Sequence, residues 1–435
     1  MNILLFGDIV IDRNYQGNIN RIAPEGPFPI VNINNISDNL GCLGNVLNNI
    51  YDFYDKIYLI TCINNKTIKP LTDLFKEKII HENFHQENRE LIIKNRIYSN
   101  NQCISRFDQE IINDIDINSE NNIKQYIESI ITNINIVILS DYAKGSLTTN
   151  ICQYIIDLCN KNNIDTLIDP KGTDYSKYKN CTLLKPNKKE ANDFYKQSIN
   201  ESNILNFSNK LLNEYNIKYV LNTLGSDGMR FIYKENNEIK IIKKNIISSE
   251  VIDVIGCGDT IISAISVYLS NNKLNIYDLL NILTNIGSIA VNTNGCYILN
   301  NKDYKNKIIF TNGCFDIVHI GHIRYLKECK KLGKLIIGIN SDESIKRLKG
   351  KERPINRLND RINFLKELDI ADEIISFEED TPENLIKKVK PDILVKGGDY
   401  KIEDIIGREL VEEVKIIPFV DGYSSTNIIN TIKNQ

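Results

Sequence analysis

The sequence predicts an α/β protein made of two units, one large and one small. Three observations lead there. Short β-branched runs alternate with helical patterns along most of the chain, which argues for mainly parallel sheets. That alternation stops in a polar, turn-rich stretch at 292–306 and restarts at Lys307. And 435 residues exceed one domain of roughly 100–200 residues. We place the units at residues 1–303 and 304–435. With 42% apolar and 25% charged residues, the chain fills sizeable cores and is not wholesale disordered.

In chain order, Ile3–Phe6 reads as the first strand. The opening segment Met1–Asp8 has no basic region and ends in an acid, so it is not a signal peptide. Residues Arg13–Leu40 are rich in Pro, Gly and Asn and alternate at Phe28–Ile33. They predict a small β-excursion, a lid, before a helix starting near Gly44. Ile136–Leu139, Thr166–Ile168, Thr182–Leu184 and Tyr219–Asn222 follow as strands. His81 and His85 fall on a Glu/Asn-rich segment read as a surface helix without function. In the second unit Lys307–Thr311, Leu335–Asn340, Glu373–Ser376 and Ile393–Lys396 read as strands. Helices are expected near 359–368 and 382–389. The latter takes Thr381 as N-cap and Pro382 at its first position, and Pro391 stops it.

The formal net charge is −3, which leaves no broad cationic field for nucleic acid or an anionic membrane. No run approaches the about 18 apolar residues of a membrane span. Ten cysteines form no C-x-x-C pair, which in a chain this long points to reduced thiols and a cytoplasmic protein. The abundance of Asn, Ile and Lys is read as genomic base composition.

The chemistry concentrates at predicted strand ends, where ligands bind in open α/β sheets. Asp253-Val-Ile-Gly-Cys-Gly-Asp-Thr260 precedes an apolar helix. Gly256, Cys257 and Gly258 turn backbone N–H groups towards one point at a helix N-terminus, an anion hole for developing phosphate charge. Asp259 beside it can take a proton from a hydroxyl nucleophile. Gly41-Cys-Leu-Gly-Asn-Val46 is a glycine turn that offers Asn45 to sugar hydroxyls. Pro186-Asn-Lys-Lys-Glu190 puts Asn187 and Glu190 one turn apart near a metal–phosphate site. Leu224-Gly-Ser-Asp-Gly228 is another strand-end loop. Taken alone, a G-x-G-D turn is as often a capped glycine turn as a site.

In this order the motifs resemble the ribokinase-type sugar kinases over roughly residues 1–300. The resemblance implies a three-layer α/β domain with a β lid and Asp259 as catalytic base. It implies an ATP site of Asn187, Lys188, Lys189, Glu190, Gly225, Gly256, Cys257 and Gly258, with Glu190 acting indirectly on Mg²⁺ carried by ATP. Asp12, Gly41, Asn45 and Lys171 are expected at the sugar phosphate. A substrate that already carries a phosphate needs a cation at its far end. Lys171 is the first choice, with Lys144, Arg13, Lys94, Arg96 and Arg106 as options. The sequence departs from the family at Cys42, where a glycine is usual, and at Ile255 and Cys257.

Thr311-Asn-Gly-Cys-Phe-Asp-Ile-Val-His-Ile-Gly-His322 ends a strand and opens a helix. His319 and His322, three apart, face one side of the first turn and can donate to phosphate oxygens. Gly321 keeps the backbone open to a nucleotide. A zinc reading is weak, because no H-E-x-x-H or Cys pair completes a ligand set. From Ile308 onward the context resembles the H-x-G-H cytidylyltransferase-like superfamily, with a Rossmann-like fold. It implies nucleotide contacts at Asn312, Gly313, Phe315, Asp316, Gly321, Lys396, Gly397, Ser424, Ser425 and Thr426. Ser341, Asp342, Lys346, Lys349 and Arg353 are candidates at the leaving pyrophosphate, or a solvated cluster.

The pairing of the two units, with Arg21–Glu25, Ser140–Gly145, Ile168–Asp174, Phe377–Pro382 and Val395–Tyr400, resembles the bifunctional heptose 7-phosphate kinase/heptose 1-phosphate adenylyltransferase family. The resemblance implies ATP phosphorylation of heptose 7-phosphate at O1 to the 1,7-bisphosphate. It also implies AMP transfer from ATP to heptose 1-phosphate, giving ADP-heptose for the lipopolysaccharide core. A separate phosphatase would act between the two steps, and a homodimer is implied. Two other readings stay open. One is a ribokinase-type kinase fused to a cytidylyltransferase for another sugar phosphate. The other is a non-catalytic sugar-phosphate-binding scaffold.

Overall fold

A computed structural model describes all residues except 101, 246–251, 294, 305–306, 331, 399–400 and 418–435. The chain divides into two units, Met1–Tyr304 and Lys305–Gln435.

The first unit begins with β1 (Asn2–Gly7), β2 (Ile9–Ile22) and β3 (Pro29–Cys42). Next come β4 (Lys56–Thr61), β5 (Ile79–Asn83), β6 (Ile93–Ser99) and β7 (Gln102–Gln109). Then follow β8 (Ile136–Ser140), β9 (Asp165–Asp169), β10 (Leu183–Leu184), β11 (Tyr219–Thr223), β12 (Met229–Glu235) and β13 (Glu238–Lys244). Nine strands form one sheet in the order β13-β12-β11-β10-β9-β8-β1-β4-β5. It is parallel except for the antiparallel edge β11-β12-β13. Both faces are covered. Ile3 and Leu5 pack with the helices Leu43–Ile50, Cys257–Asn271 and Ile276–Val291 in one apolar cluster. Leu4 and Phe6 pack on the opposite side, against Ile117–Ile130 and Thr149–Lys161. Alternate residues of buried strands thus feed two cores, which is why these strands read as continuous apolar runs.

The β-excursion is a separate four-stranded sheet, ordered β3-β2-β6-β7. Its second half lies in β6 and β7, which the sequence reading did not assign. These strands alternate polar with apolar residues and carry little hydrophobic signal. The excursion crosses into the main unit at Gly41 and Cys42. A Cβ on Gly41 would fall 2.2 Å from the Asp12 carboxylate, so only glycine fits.

His81 corrects one expectation. It lies in β5, not on a helix, and its Nε2 pairs with the Thr61 hydroxyl at 2.8 Å. His85 Nδ1 accepts from the Asn65 N–H at 3.1 Å. Glu and Asn suggested a helix, but parallel pairing of Ile79–Asn83 with β4 overrides that preference.

The second unit holds β14 (Ile308–Gly313), β15 (Lys334–Asn340), β16 (Glu373–Phe377), β17 (Ile393–Gly397) and β18 (Glu413–Ile417). The sheet is parallel throughout, in the order β16-β15-β14-β17-β18. The helix Glu383–Val389 starts one residue later than expected. Pro382 is its N-cap, and Lys390 ends it in the left-handed conformation. Arg361 is fully buried on helix Leu358–Glu367. Its guanidinium donates to the carbonyls of Cys314 at 2.6 Å, Asn340 at 2.9 Å and Asn356 at 3.0 Å, and pairs with Asp342 at 2.7 Å. It ties three loops at the carboxyl ends of the strands. Replacing Arg361 with Met should destabilise the second unit by about 3–5 kcal/mol, because those acceptors stay buried. Urea unfolding read by hydrogen exchange in β14 and β15 checks this.

Candidate functional sites

The first site lies at the carboxyl ends of β8 to β11. Gly256, with φ 73°, turns the chain into helix Cys257–Asn271, whose first N–H groups face a cavity of about 500 Å³. Asp253 braces that turn, accepting from the N–H of Ile255 at 2.9 Å and of Gly295 at 3.1 Å. Asp259, on the first turn, is 3% exposed. Its Oδ1 accepts from the Tyr142 hydroxyl at 2.7 Å and its Oδ2 from Asn45 Nδ2 at 3.0 Å. Burial pushes the Asp259 carboxyl above its ordinary pKa, while Tyr142, Asn45, Lys185 and Lys94 pull it back.

Every residue expected at ATP lines this cavity: Asn187, Lys188, Lys189, Glu190, Gly225, Gly256, Cys257 and Gly258. Asn187 caps helix Lys188–Tyr195 in a reciprocal box, with Asn187 Oδ1 and Glu190 Oε2 each accepting at 2.9 Å. Lys188 is paired with Asp227 at 2.7 Å. Lys171, expected at the far phosphate, is found here instead. Its Nζ is 3.0 Å from Glu190, and it lines the nucleotide end of the cavity. Its partner Glu190 belongs to the helix that follows the next strand, β10.

Lys185 was not foreseen. It is buried at the end of β10, 2.9 Å from Asp169. Its Nζ would lie 3.3 Å from a Cβ placed on Gly258, so its charge faces the anion hole. Burial pulls its pKa down, but Asp169, Glu190 and Asp259 outweigh that and keep it charged. The only hint was its place between a strand and Pro186.

The lid brings a second set. Asp12, Lys94 and Asp108 are register partners across β2, β6 and β7, and Arg96 and Arg106 pair one step along. They share one face of the lid. Lys94 Nζ lies 3.4 Å from Cys42 Sγ and 5.9 Å from the Tyr142 ring, so this face looks into the site. Arg96 is bonded to Asp12 at 2.5 Å. Arg13 lies on the opposite face, bound to Asp38 by two hydrogen bonds. Lys144 is paired with Glu110.

The second site surrounds the end of β14. The His319 and His322 rings are 4.0 Å apart, at the start of helix Ile320–Lys330, and Phe315 lies against His322 at 5.6 Å. Burial lowers both imidazole pKa values, His322 to about 4 with help from His319. Both are therefore neutral donors at pH 7. Gly321 stands on the first helical turn between them. Gly313 ends β14 and Gly397 ends β17. Lys396 Nζ donates to Asn312 Oδ1 at 2.5 Å, and burial lowers its pKa to about 8. Asp316 differs from its expected role. Its buried carboxylate accepts from the N–H groups of Ile355 at 2.8 Å and Asn356 at 2.9 Å and binds Arg353 at 2.6 Å. It organises the 353–356 loop, and Arg353 is committed to it. Lys346 is likewise paired, with Glu343 at 2.6 Å. Ser341 caps helix Asp342–Lys349. Ser424, Ser425 and Thr426 lie outside the described residues.

Two clusters at strand ends, one around a buried carboxylate and one around paired imidazoles, stand in units that match a carbohydrate kinase joined to a nucleotidyltransferase. Residues 36–303 match the pfkB family carbohydrate kinase model, and residues 310–431 match the cytidylyltransferase-like model. The chain is 38% identical to the bifunctional protein HldE of Aliarcobacter butzleri, over 99% of this chain and 97% of the relative. It is 37% identical to that of Campylobacter fetus subsp. fetus, over 100% of both. The chain belongs to the bifunctional HldE family. It is a bifunctional enzyme, a heptose 7-phosphate kinase and heptose 1-phosphate adenylyltransferase, using ATP with a divalent metal. Escherichia coli phosphofructokinase-2 in complex with potassium shares the kinase fold, with TM-score 0.57 and 16% identity over 70% of this chain and 96% of that one. No helix among the described residues is long and apolar enough to cross a membrane.

The Lys396 environment predicts a pH dependence. A lysine lowered to about 8 is cationic below that pH and neutral above it. The affinity of the adenylyltransferase site for ATP should fall as pH rises through about 8. Lys396→Arg should remove that loss, because guanidinium stays charged. Calorimetric titration of the nucleotide across pH 7–9.5 measures both.

Proposed function

We propose that Asp259 is the base of the kinase reaction; the observation that carries this is its burial at the anion hole with both oxygens held. The anomeric hydroxyl of heptose 7-phosphate gives its proton to Asp259. The freed oxygen attacks the γ-phosphorus of ATP, the bond to the ADP oxygen breaks, and heptose 1,7-bisphosphate and ADP leave. The N–H groups opening helix Cys257–Asn271 and the Lys185 charge receive the transferring phosphoryl oxygens. Asn45 and Asp12 hold sugar hydroxyls. Lys94 and Arg96, on the site-facing side of the lid, take the 7-phosphate in place of Lys171, which serves the nucleotide phosphates.

The metal is Mg²⁺. Among the described residues there is no cluster of three or more His, Cys, Asp or Glu side chains, and Glu190 is already capped and ion-paired. That donor set fits an ion that the nucleotide would bring, and Glu190 is the residue that would hold it. When bound, it neutralises phosphate charge.

In the second unit the 1-phosphate oxygen of heptose 1-phosphate attacks the α-phosphorus of ATP, and pyrophosphate leaves as ADP-heptose forms. His319 and His322 donate to the phosphate oxygens. Lys396, oriented by Asn312, adds a cation. The 1,7-bisphosphate must lose its 7-phosphate first, so a separate phosphatase acts between the two reactions. The enzyme works in the cytoplasm as a homodimer. The outer lid face, where Ile36 and Phe107 are exposed, supports pairing of subunits there.

Asp259→Asn should lower phosphorylation by about 10²–10⁴-fold and spare adenylylation, and His322→Ala should do the reverse. Mass spectrometry of both products in the full chain decides; loss of both activities in either folded variant sinks the assignment. Lys94→Ala should raise KM for heptose 7-phosphate about 10–100-fold at unchanged KM for ATP. An unchanged sugar KM removes Lys94 from the 7-phosphate site.

A further inference from the structure

Tyr142 lies in the Ser140–Gly145 stretch, and the sequence reading assigned it no role in the kinase reaction. It sits in the loop after β8, and its ring edge reaches the base. We infer that Tyr142 is the positioning residue of the kinase reaction: its hydroxyl holds the Asp259 carboxylate ionised and oriented, so that Oδ2 is the oxygen that meets the sugar. The inference rests on Asp259 being the base.

The geometry separates the two carboxylate oxygens. Oδ1 takes the short bond, 2.7 Å from the Tyr142 hydroxyl. Oδ2 takes the longer one, 3.0 Å from Asn45, and a carboxylate oxygen has a second lone pair to offer. The donor is the phenol. Burial and the Asp259 charge raise the Tyr142 pKa well above its ordinary value, so it keeps its proton and does not compete as a base.

The loop that carries Tyr142 is built for precision. Asp8, 2% exposed, accepts three of its backbone N–H groups: Tyr142 and Lys144 at 2.9 Å and Ser146 at 3.1 Å. Ala143, between them, has φ +55°, a left-handed conformation that a non-glycine residue adopts only when its surroundings impose it. A loop needed only to connect β8 to the next helix requires neither feature.

Other groups face Asp259. Lys94 comes from the lid and Lys185 from β10. Asp169 on β9 is locked to Lys185 and makes no bond to Tyr142. The thiols of Cys42, Cys257 and Cys296 are all raised by burial, to about 12, 11 and 11, and stay protonated. None of these is bonded to the Tyr142 hydroxyl, so a change there reads out at Asp259.

The test is the pH profile of kcat for phosphorylation of heptose 7-phosphate by the full chain with Mg·ATP. Tyr142→Phe removes one donor from the charged form. Its kcat should fall about 10-fold, and its acid limb should move up by about one pH unit at unchanged KM for ATP. Replacing Tyr142 with 3-fluorotyrosine keeps the shape and strengthens the donor, and should move the limb down. An acid limb that stays put in the Phe variant overturns the inference, even if kcat falls. So do shifts of the same sign in both variants. If calorimetry shows the Phe variant unfolded, the fluorotyrosine profile decides alone. Asp259→Asn keeps the two layers apart. An unmoved limb with Asp259→Asn inactive overturns the role of Tyr142 only, whereas activity surviving Asp259→Asn overturns the base assignment beneath it.

Discussion

The kinase unit depends on keeping one carboxylate buried without letting it go neutral. Taking an aspartate out of water favours its protonated form, and Asp259 is almost wholly out of water. Burial wins part of that contest, since its pKa is raised. For the base we propose, a raised pKa holds a proton better than an ordinary carboxylate does, so partial victory suits the chemistry. Full victory would abolish the base. The groups that prevent it arrive from four places in the chain: Asn45 from the first helix, Lys94 from the lid, Tyr142 from the loop after β8, and Lys185 from β10. The parallel strands β8 to β10 end on the same side, which brings Tyr142 and Lys185 together, and the lid and the helix that follows it supply Lys94 and Asn45.

The adenylyltransferase unit meets phosphate charge in a different way. Its imidazoles are neutral, and Lys396, lowered to about 8 by burial, is still mostly cationic at physiological pH. Two of its arginines are occupied elsewhere. Arg361 serves three carbonyls and Asp342, and Arg353 serves Asp316. The positive charge of Arg361 and Arg353 is thus used to shape the loops, and the neutral imidazoles of the proposed site are directional N–H donors. Donors of that kind orient an α-phosphate without over-stabilising the ground state.

Much of this was legible in the sequence. Asn187, Glu190 and the His319/His322 pair do follow the ends of β10 and β14, as the sequence suggested, whereas Asp259 opens a helix well after β13 has ended at Lys244. β6 and β7 were not legible, because lid strands that cover a polar site alternate weakly. Lys171, expected at the sugar phosphate, stands beside Glu190, a neighbour that its distance along the chain from Asp169 does not reveal. Asp316 was given to the nucleotide because it sits inside the motif, but its partners lie some forty residues later in a loop. Lys185 and Tyr142 were missed for a shared reason. A lone Lys or Tyr after a strand carries no pattern, and its meaning comes only from the carboxylate that packing brings to it.

Cys42 shows how tightly the kinase site is specified from elsewhere. It has φ 55° and ψ −124°, a region that glycine visits readily and other residues only under constraint, at about 1–3 kcal/mol. The helix Leu43–Ile50 holds that strain in place. Leu43, Val46 and Leu47 are buried in the core, and the Leu43 N–H binds the Asp8 carbonyl at 3.0 Å. Asp8 therefore anchors both arms that reach Asp259. Its carbonyl fixes the turn leading to Asn45, and its carboxylate fixes the loop bearing Tyr142. A cysteine in a glycine's place does not mark a decayed site, because its neighbours impose the turn and Asn45 beyond it still reaches the Asp259 carboxylate at 3.0 Å.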